Sequence, residues 1–372
     1  MANFKTSLYQ KHKDLGAKIV PFGEYLMPLF YSGVKDEHLN TRKNASVFDV
    51  SHMGCVIVKG KDATVFLNYI TSNNINKLYN NKIQYSCFLN HKGGIVDDLL
   101  IYMIDVNEYL LVINSNNIYK DISFMEDYSS NYEVKIQDFS SKLSIIALQG
   151  PNSKYILNQF LHSCNVEIDL NKLNYYNFYK FKNQSIGDVI ISSTGYTGAG
   201  GFEIYFDNNY SNIIWDGLFL KGKEYGLKPA GLAARDTLRL EMGFCLYGND
   251  INENRTPVEA NLNFIIDLNK NFLGKDVINH QISNGCEKKL IAFSLSKKGI
   301  PRKGYNLLDE EDKVIGEVTS GTMSPSLSKG IGLAYIDVNF INQKCFLDIR
   351  GKKNMIIFEK LPFYKKNEKK RN

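Results

Sequence analysis

Apolar positions change their period repeatedly along the chain, and the changes mark out alternating strands and helices. Leu8 to Leu15 is amphipathic, Met53 to Lys59 alternates as a strand, and Asp62 to Thr71 repeats at helical spacing. Tyr85 to Leu89, Leu99 to Ile104 and Tyr109 to Asn114 read as further strands, followed by a helix over Ile118 to Tyr128. Leu143 to Leu148 is a buried strand ending at Gly150-Pro151, and Asn152 to His162 a helix with proline near its start. Val189 to Tyr205 runs strand, turn, strand, with Gly195, Gly198, Gly200 and Gly201 crowding the turn. Two helices follow, Asn212 to Tyr225 and Ala233 to Met242. From Lys289 the elements shorten to strands at Leu290 to Leu295, Val314 to Thr319, Gly332 to Ile336, Cys345 to Ile349 and Met355 to Glu359, the pattern of a small all-β barrel or sandwich. The prediction is an α+β protein with a domain boundary near Ile282 to Glu287, and without internal repeats.

Within this pattern Asn90-His91-Lys92-Gly93-Gly94-Ile95-Val96-Asp97-Asp98 stands out, because a glycine turn delivers a carboxylate to the start of an apolar strand. Gly93-Gly94 is expected to supply the positive backbone angles of the turn. Strand alternation sends Asp97 and Asp98 to opposite faces. If Asp98 looks into a pocket, Leu100 and Tyr102 line the same wall; the alternative is an Asp that closes the turn through its own backbone. The turn around Tyr196 has a similar double reading. Glu203, in its second strand, can accept two parallel N–H bonds from a guanidine-like or aminopyrimidinone edge, or the segment can be a hairpin with an exposed acid. Arg235 and Arg239 lie one helical turn apart, so one can face a ligand while the other pairs internally. Together Asp98, Tyr102, Tyr196, Glu203 and Arg235 suggest a pocket for a flat polar heterocycle.

Other chemistries are poorly supported. Asp49, Ser51 and His52 are too close in sequence to act as a hydrolase triad, and no G-x-S-x-G elbow occurs. No G-x-x-x-x-G-K-[ST] phosphate loop is present, and the histidines lack metal-ligand spacing, so no metal is expected. The six cysteines are far apart with no Cys-x-x-Cys pair, which fits a reducing compartment. At 372 residues, 44% hydrophobic and 23% charged, the chain is a sizeable globular protein of two or three packed units. No apolar run reaches the roughly 20 residues of a membrane span, and Met1 to Thr6 carries no apolar signal core, so a cytoplasmic protein is expected. The net charge of +6 is modest and partly sits in the tail Lys365 to Arg371; it argues against a nucleic-acid role and for at most a weak preference for acidic partners.

Five motifs stand in one order and spacing: F-D-V-S-H-M-G at 48–54, N-x-x-G-G-I-x-D-D at 90–98, T-G-Y-T-G-x-x-G-F-E at 194–203, G-L-x-A-R-D-x-L-R-L-E at 231–241 and T-S-G-x-x-S-P-x-L at 319–327. In this the chain resembles the aminomethyltransferase of the glycine cleavage system, the T-protein. The resemblance implies three domains in a clover leaf around a central folate channel, ending in a C-terminal β-barrel. It also implies transfer of a methylene carbon from an aminomethyl group on the lipoyl arm of H-protein to tetrahydrofolate, with release of ammonia and formation of 5,10-methylenetetrahydrofolate. On it, Asp98 is the catalytic acid near folate N5, Glu203 receives the pterin edge, and Arg235 lies beside the ligand. Tyr85, Tyr102, Tyr175, Tyr176 and Tyr196 are walls of the site, joined by Met53 and Asn114. The division implied is 1–282 for a folate-binding region of two interleaved α+β subdomains, 283–363 for the barrel and 364–372 for a basic tail. Ala199, Ala233 and Tyr25 depart from the residues usual in the family. Relatives that bind folate without aminomethyl transfer, as scaffolds or in iron–sulfur assembly, share the fold; their K-G-C-[FY]-x-G-Q-like motif is absent.

Overall fold

The computed structural model describes residues 4–365; the basic tail beyond them, like Met1 to Asn3, lies outside the described residues. Two large sheets, one antiparallel and one antiparallel but for a single edge strand, build the first part of the chain. One has five strands in the spatial order Ile83–Leu89, Ile95–Asp105, Glu108–Ile113, Gly54–Lys59 and Lys135–Asp138. The other has six, Phe178–Asn183, Gly187–Ser192, Gly201–Asp207, Leu143–Gln149, Ala45–Asp49 and Leu227–Pro229, the last pairing parallel to Ala45–Asp49. A small sheet of Phe4–Lys5, Tyr25–Phe30 and Lys18–Phe22 packs beside them.

The two large sheets meet at a shared apolar seam. Phe48, Val50, Leu110, Ile145, Tyr102 and Tyr205 are buried together there, each contributing on the order of 1.5–3 kcal/mol by leaving water. Helices Ala63–Ile70 and Ile118–Ser129 cover the outer face of the five-stranded sheet, and Ser153–Ser163 and Ser211–Gly222 that of the six-stranded one. The last part is a closed six-stranded barrel of Lys288–Leu295, Lys329–Asp337, Val314–Ser324, Asn306–Leu308, Phe346–Ile349 and Lys352–Glu359. Helix Lys275–Asn284 immediately precedes it.

Helix Leu232–Met242 is the joint between these parts. Arg239, 1% exposed, donates to Asp250 at 2.7 Å, Asp236 at 2.8 Å, the Phe244 carbonyl at 3.0 Å and, across to the barrel, Ser320 at 2.8 Å. Glu241 accepts from Ser324 and Ser326 of the barrel and from Arg42 of helix Val34–Lys43. The serines of the 319–327 motif are therefore the fasteners of the helix that carries Arg235.

Candidate active site

The glycine turn is built by two different demands. Gly93 alone takes a positive φ, of 74°. Gly94 does not; a Cβ there would overlap the Glu253 carbonyl oxygen, so close backbone approach requires this glycine. The expectation that both residues supply positive angles is corrected on that point. Asn90 closes the turn through Oδ1, accepting from Lys92 N–H at 2.9 Å and Gly94 N–H at 3.0 Å, and its Nδ2 donates to the same Glu253 carbonyl at 3.1 Å. The register with Ile83–Leu89 then slips between Phe88 and Leu89, leaving Val96 as an extra residue just before the two acids. Such a bulge re-aims the side chains that follow it.

Asp97 and Asp98 accordingly part company. Asp97 is fully buried, while Asp98 lines a cavity of about 1860 Å³. Tyr85 Oη donates to Asp98 Oδ2 at 2.9 Å, and Asn114 Nδ2 donates to Asp98 Oδ1 at 2.9 Å and to Asp97 Oδ1 at 2.9 Å. One amide thus bridges both acids. Burial, and then the neighbouring Asp97 charge, push the Asp98 carboxyl up to about 7 against the pull of the Tyr85 and Asn114 hydrogen bonds.

Opposite, Glu203 lies on Gly201–Asp207 and is 7% exposed; Thr194 Oγ1 donates to its Oε2 at 2.5 Å. Tyr196 donates its hydroxyl to the Cys245 carbonyl and stacks on Phe244, so it pins the loop after helix Leu232–Met242 as well as walling the cavity. The Arg235 guanidinium sits 4.9 Å from the Tyr196 ring centroid, and its buried Nη1 has no protein partner. Arg235 is thus the arginine left for a ligand, whereas Arg239 is spent on internal pairs. Met53, Asn114, Tyr175 and Tyr176 also line the cavity, as does Ala233.

Tyr102 is a correction. It does not line the cavity: it is 0% exposed, and its hydroxyl meets Tyr205 at 2.7 Å and Ser192 at 3.2 Å in the seam between the sheets. Alternation does give it the face of Asp98 and Leu100, but beyond Leu100 that face is covered by the second sheet.

Two cavity residues escape sequence reasoning. Thr194, which orients Glu203, was visible only as a turn residue. His52 was considered with Asp49 for a triad, yet Asp49 instead accepts from Thr6 at 2.7 Å and meets His12 at 2.8 Å. His52 faces the cavity with Nδ1 unpartnered, and burial followed by the Arg235 charge lowers it to about 4, leaving it neutral. Among the described residues no three His, Cys, Asp or Glu side chains gather as a metal site, and no helix is long and apolar enough to cross a membrane.

A cavity of this kind offers a carboxyl able to hold or release a proton near neutrality, an acceptor carboxylate and an unpartnered arginine, set among aromatic walls. Comparison with known proteins agrees in one direction. Residues 8–270 match the family model described as the GCVT N-terminal domain, and residues 288–365 that of the glycine cleavage T-protein C-terminal barrel domain. The aminomethyltransferase of Flavobacterium psychrophilum is 46% identical over 363 residues, 97% of this chain and 99% of that protein. That of Bacteroides thetaiotaomicron is 44% identical over 364 residues, again 97% and 99% of the two chains. The crystal structure of the glycine cleavage system aminomethyltransferase T from Bartonella henselae superposes with a TM-score of 0.88 at 32% identity, covering 97% of this chain and 98% of that one.

Proposed function

The chain belongs to the glycine cleavage T-protein family, and from that premise we propose that its cavity joins tetrahydrofolate to an aminomethyl-bearing lipoyl arm of H-protein and transfers the methylene carbon between them. The protein is an aminomethyltransferase. Its products on this reading are 5,10-methylenetetrahydrofolate, ammonia and the reduced lipoyl thiol. It works in the cytoplasm, on folate and H-protein, with residues 1–282 as the folate-binding region and 283–363 as the barrel. Cavity size supports two guests: about 1860 Å³ exceeds the roughly 300–1,000 Å³ usual for a single small ligand.

The observation that carries the reading is Asp98, a half-buried carboxyl at the cavity wall whose proton affinity is raised to about 7. Forming the methylene bridge removes one hydrogen from each of two folate nitrogens and adds one to the departing amine and one to the sulfur. A carboxyl poised near neutrality can receive and return such protons. In its ionised form Asp98 also stabilises the positive, iminium-like carbon that develops as ammonia leaves, a charge absent from the ground state. Tyr85 and Asn114 hold it in place, so little reorganisation remains at the moment of reaction.

Glu203, kept in one orientation by Thr194, has acceptor capacity left for the pterin's amino and ring N–H groups. The unpartnered Arg235 Nη1 is a donor that a bound ligand would satisfy. Tyr85, Tyr175, Tyr176 and Tyr196, with Met53, form the apolar and aromatic surround, while Tyr102 supports it from behind.

The test is methylenetetrahydrofolate formation with aminomethyl-loaded H-protein. Ammonia release should accelerate strongly when tetrahydrofolate is added. A protein that binds folate without that acceleration is a folate scaffold, and the proposal fails.

A further inference from the structure

Behind Asp98, on the side of the sheet away from the cavity, lies a second pair of carboxyls. Asp97 and Asp121 are each 0% exposed. Asp97 is well supplied with donors: Asn114 N–H at 3.0 Å, Asn114 Nδ2 at 2.9 Å and Asn117 Nδ2 at 2.6 Å. Asn117 is the residue preceding helix Ile118–Ser129, yet its side chain does not cap that helix and serves Asp97 instead. Asp121, in the first turn of the helix, has no donor for either oxygen; the group that adjoins it is the Asp97 carboxyl.

Two ionised carboxyls have no hydrogen to place between them. They would leave buried oxygens unsatisfied and set like charges side by side. One added proton relieves the like-charge contact and pairs one Asp121 oxygen through an O–H···O⁻ bond, the stronger charge-assisted kind. The helix N-terminus favours an anion at Asp121 only modestly. Burying an unpaired carboxylate costs more than that helix end returns, so the proton wins. Its location follows from the donors: Asp97 has three and stays the anion, whereas Asp121 has none and is the acid.

We infer that Asp97 and Asp121 share a single proton behind the sheet, so that one fixed negative charge, linked through Asn114, stands beside Asp98 and adds to the effect of burial on its proton affinity. Asp121 is a positioning residue here and does not touch the ligands. The inference rests on Asp98 as the reacting carboxyl. Asp98, Cys87, Lys120 and Tyr247 are the other titratable groups facing the pair, and Tyr85, Tyr196, Cys87, Cys245 and Tyr247 face Asp98. Lys120 does not neutralise the pair directly, for its ammonium is engaged with the Val96 carbonyl at 2.6 Å, Tyr247 at 2.7 Å and Glu253 at 3.2 Å. Burial first and Asp97 second push Asp121 up to about 11, in keeping with a retained proton.

Two measurements test this. Infrared spectra of the ligand-free protein at about pH 8, where exposed acids are ionised, should contain a protonated-carboxyl band that Asp121→Asn removes and Asp98→Asn retains. No such band, or one that survives Asp121→Asn, overturns the shared proton. Because no folate or H-protein is present, an inactive enzyme that shows the band supports the pair and overturns only the catalytic reading. The second measurement is the acid limb of the pH–rate profile. Asp97→Asn removes the fixed charge and should move the limb down by about one unit or more, whereas Asp121→Asn, replacing one neutral donor by another, should leave it within about 0.3 unit. An Asp121→Asn limb that moves as far as that of Asp97→Asn would mean that Asp121 is charged, and the inference would fall.

Discussion

Replacing Asp98 by Asn should make the protein more stable above neutral pH while it makes turnover slower. The carboxyl ionises at about 7 in the folded chain against an ordinary 3.8, a difference of roughly three units. At 1.36 kcal/mol per unit this amounts to about 4 kcal/mol of folding free energy withheld when Asp98 is ionised. Asp98 borders an open cavity, and solvent there screens part of the effect, so a gain of about 1–3 kcal/mol in the variant is the working figure. The pH dependence has a definite sense. Below about pH 4 the carboxyl is protonated in both folded and unfolded chains, and wild type and Asp98→Asn differ little. Between about 4 and about 7 the unfolded chain releases the Asp98 proton and the folded one keeps it, so wild type loses with rising pH a share of stability that the variant does not lose, and the gap between them opens. Above about 7 the gap reaches its plateau. Asn fits the site, since its carbonyl can accept from Asn114 and its amide can donate to Tyr85 Oη. Denaturant midpoints of both proteins across pH 4 to 8 measure the gap, which corresponds to a few degrees in melting temperature. Folate affinity should stay within a few-fold and turnover fall by about 10²-fold or more. A gap that is flat with pH, or a variant less stable than wild type at about pH 8, would refute the claim that Asp98 is held above its ordinary ionisation range.

Glu203→Ala should weaken folate binding by about 10- to 100-fold, the loss of one or two hydrogen bonds to a charged acceptor; wild-type affinity in a fluorescence titration would remove it from the pterin site. Tyr85→Phe deletes the hydroxyl that favours ionised Asp98, so the acid limb of the pH–rate profile should move up by about half a unit to one unit; a downward shift would contradict the hydrogen bond's role. Gly94→Ala places a methyl against the Glu253 carbonyl and should destabilise the protein by about 1–3 kcal/mol in chemical denaturation, with no loss expected from the turn angle itself.

Much of this was legible because it depends on local period. Alternation separated Asp97 from Asp98 without any knowledge of what lay on either side, and the one-turn spacing of Arg235 and Arg239 allowed one to face a ligand while the other paired internally. The same alternation misplaced Tyr102, since period two names a face but not what covers it, and here a second sheet does. Strand Lys135–Asp138 lies at a sheet edge and is largely polar, Phe178–Asn183 is an edge strand that interleaves its aromatics with lysines, and Asn306–Leu308 is only three residues long, so the apolar period does not mark them. The partner of Asp49 was beyond reach for a related reason: His12 comes from a distant helix, and nothing in F-D-V-S-H-M-G points to it.

The serines that bind helix Leu232–Met242 to the barrel have a consequence for how damage would show itself. Ser320 and Ser324 contribute no atom to the cavity wall, yet Arg239 and Glu241 depend on them, and the same helix carries Arg235. A bulky replacement at either buried serine would displace the Arg239 or Glu241 side chain it holds, and with it the seat of the helix on the barrel. Such a variant would present in assays as a ligand-affinity defect, and a search for its cause among the residues around Arg235 would find them all intact.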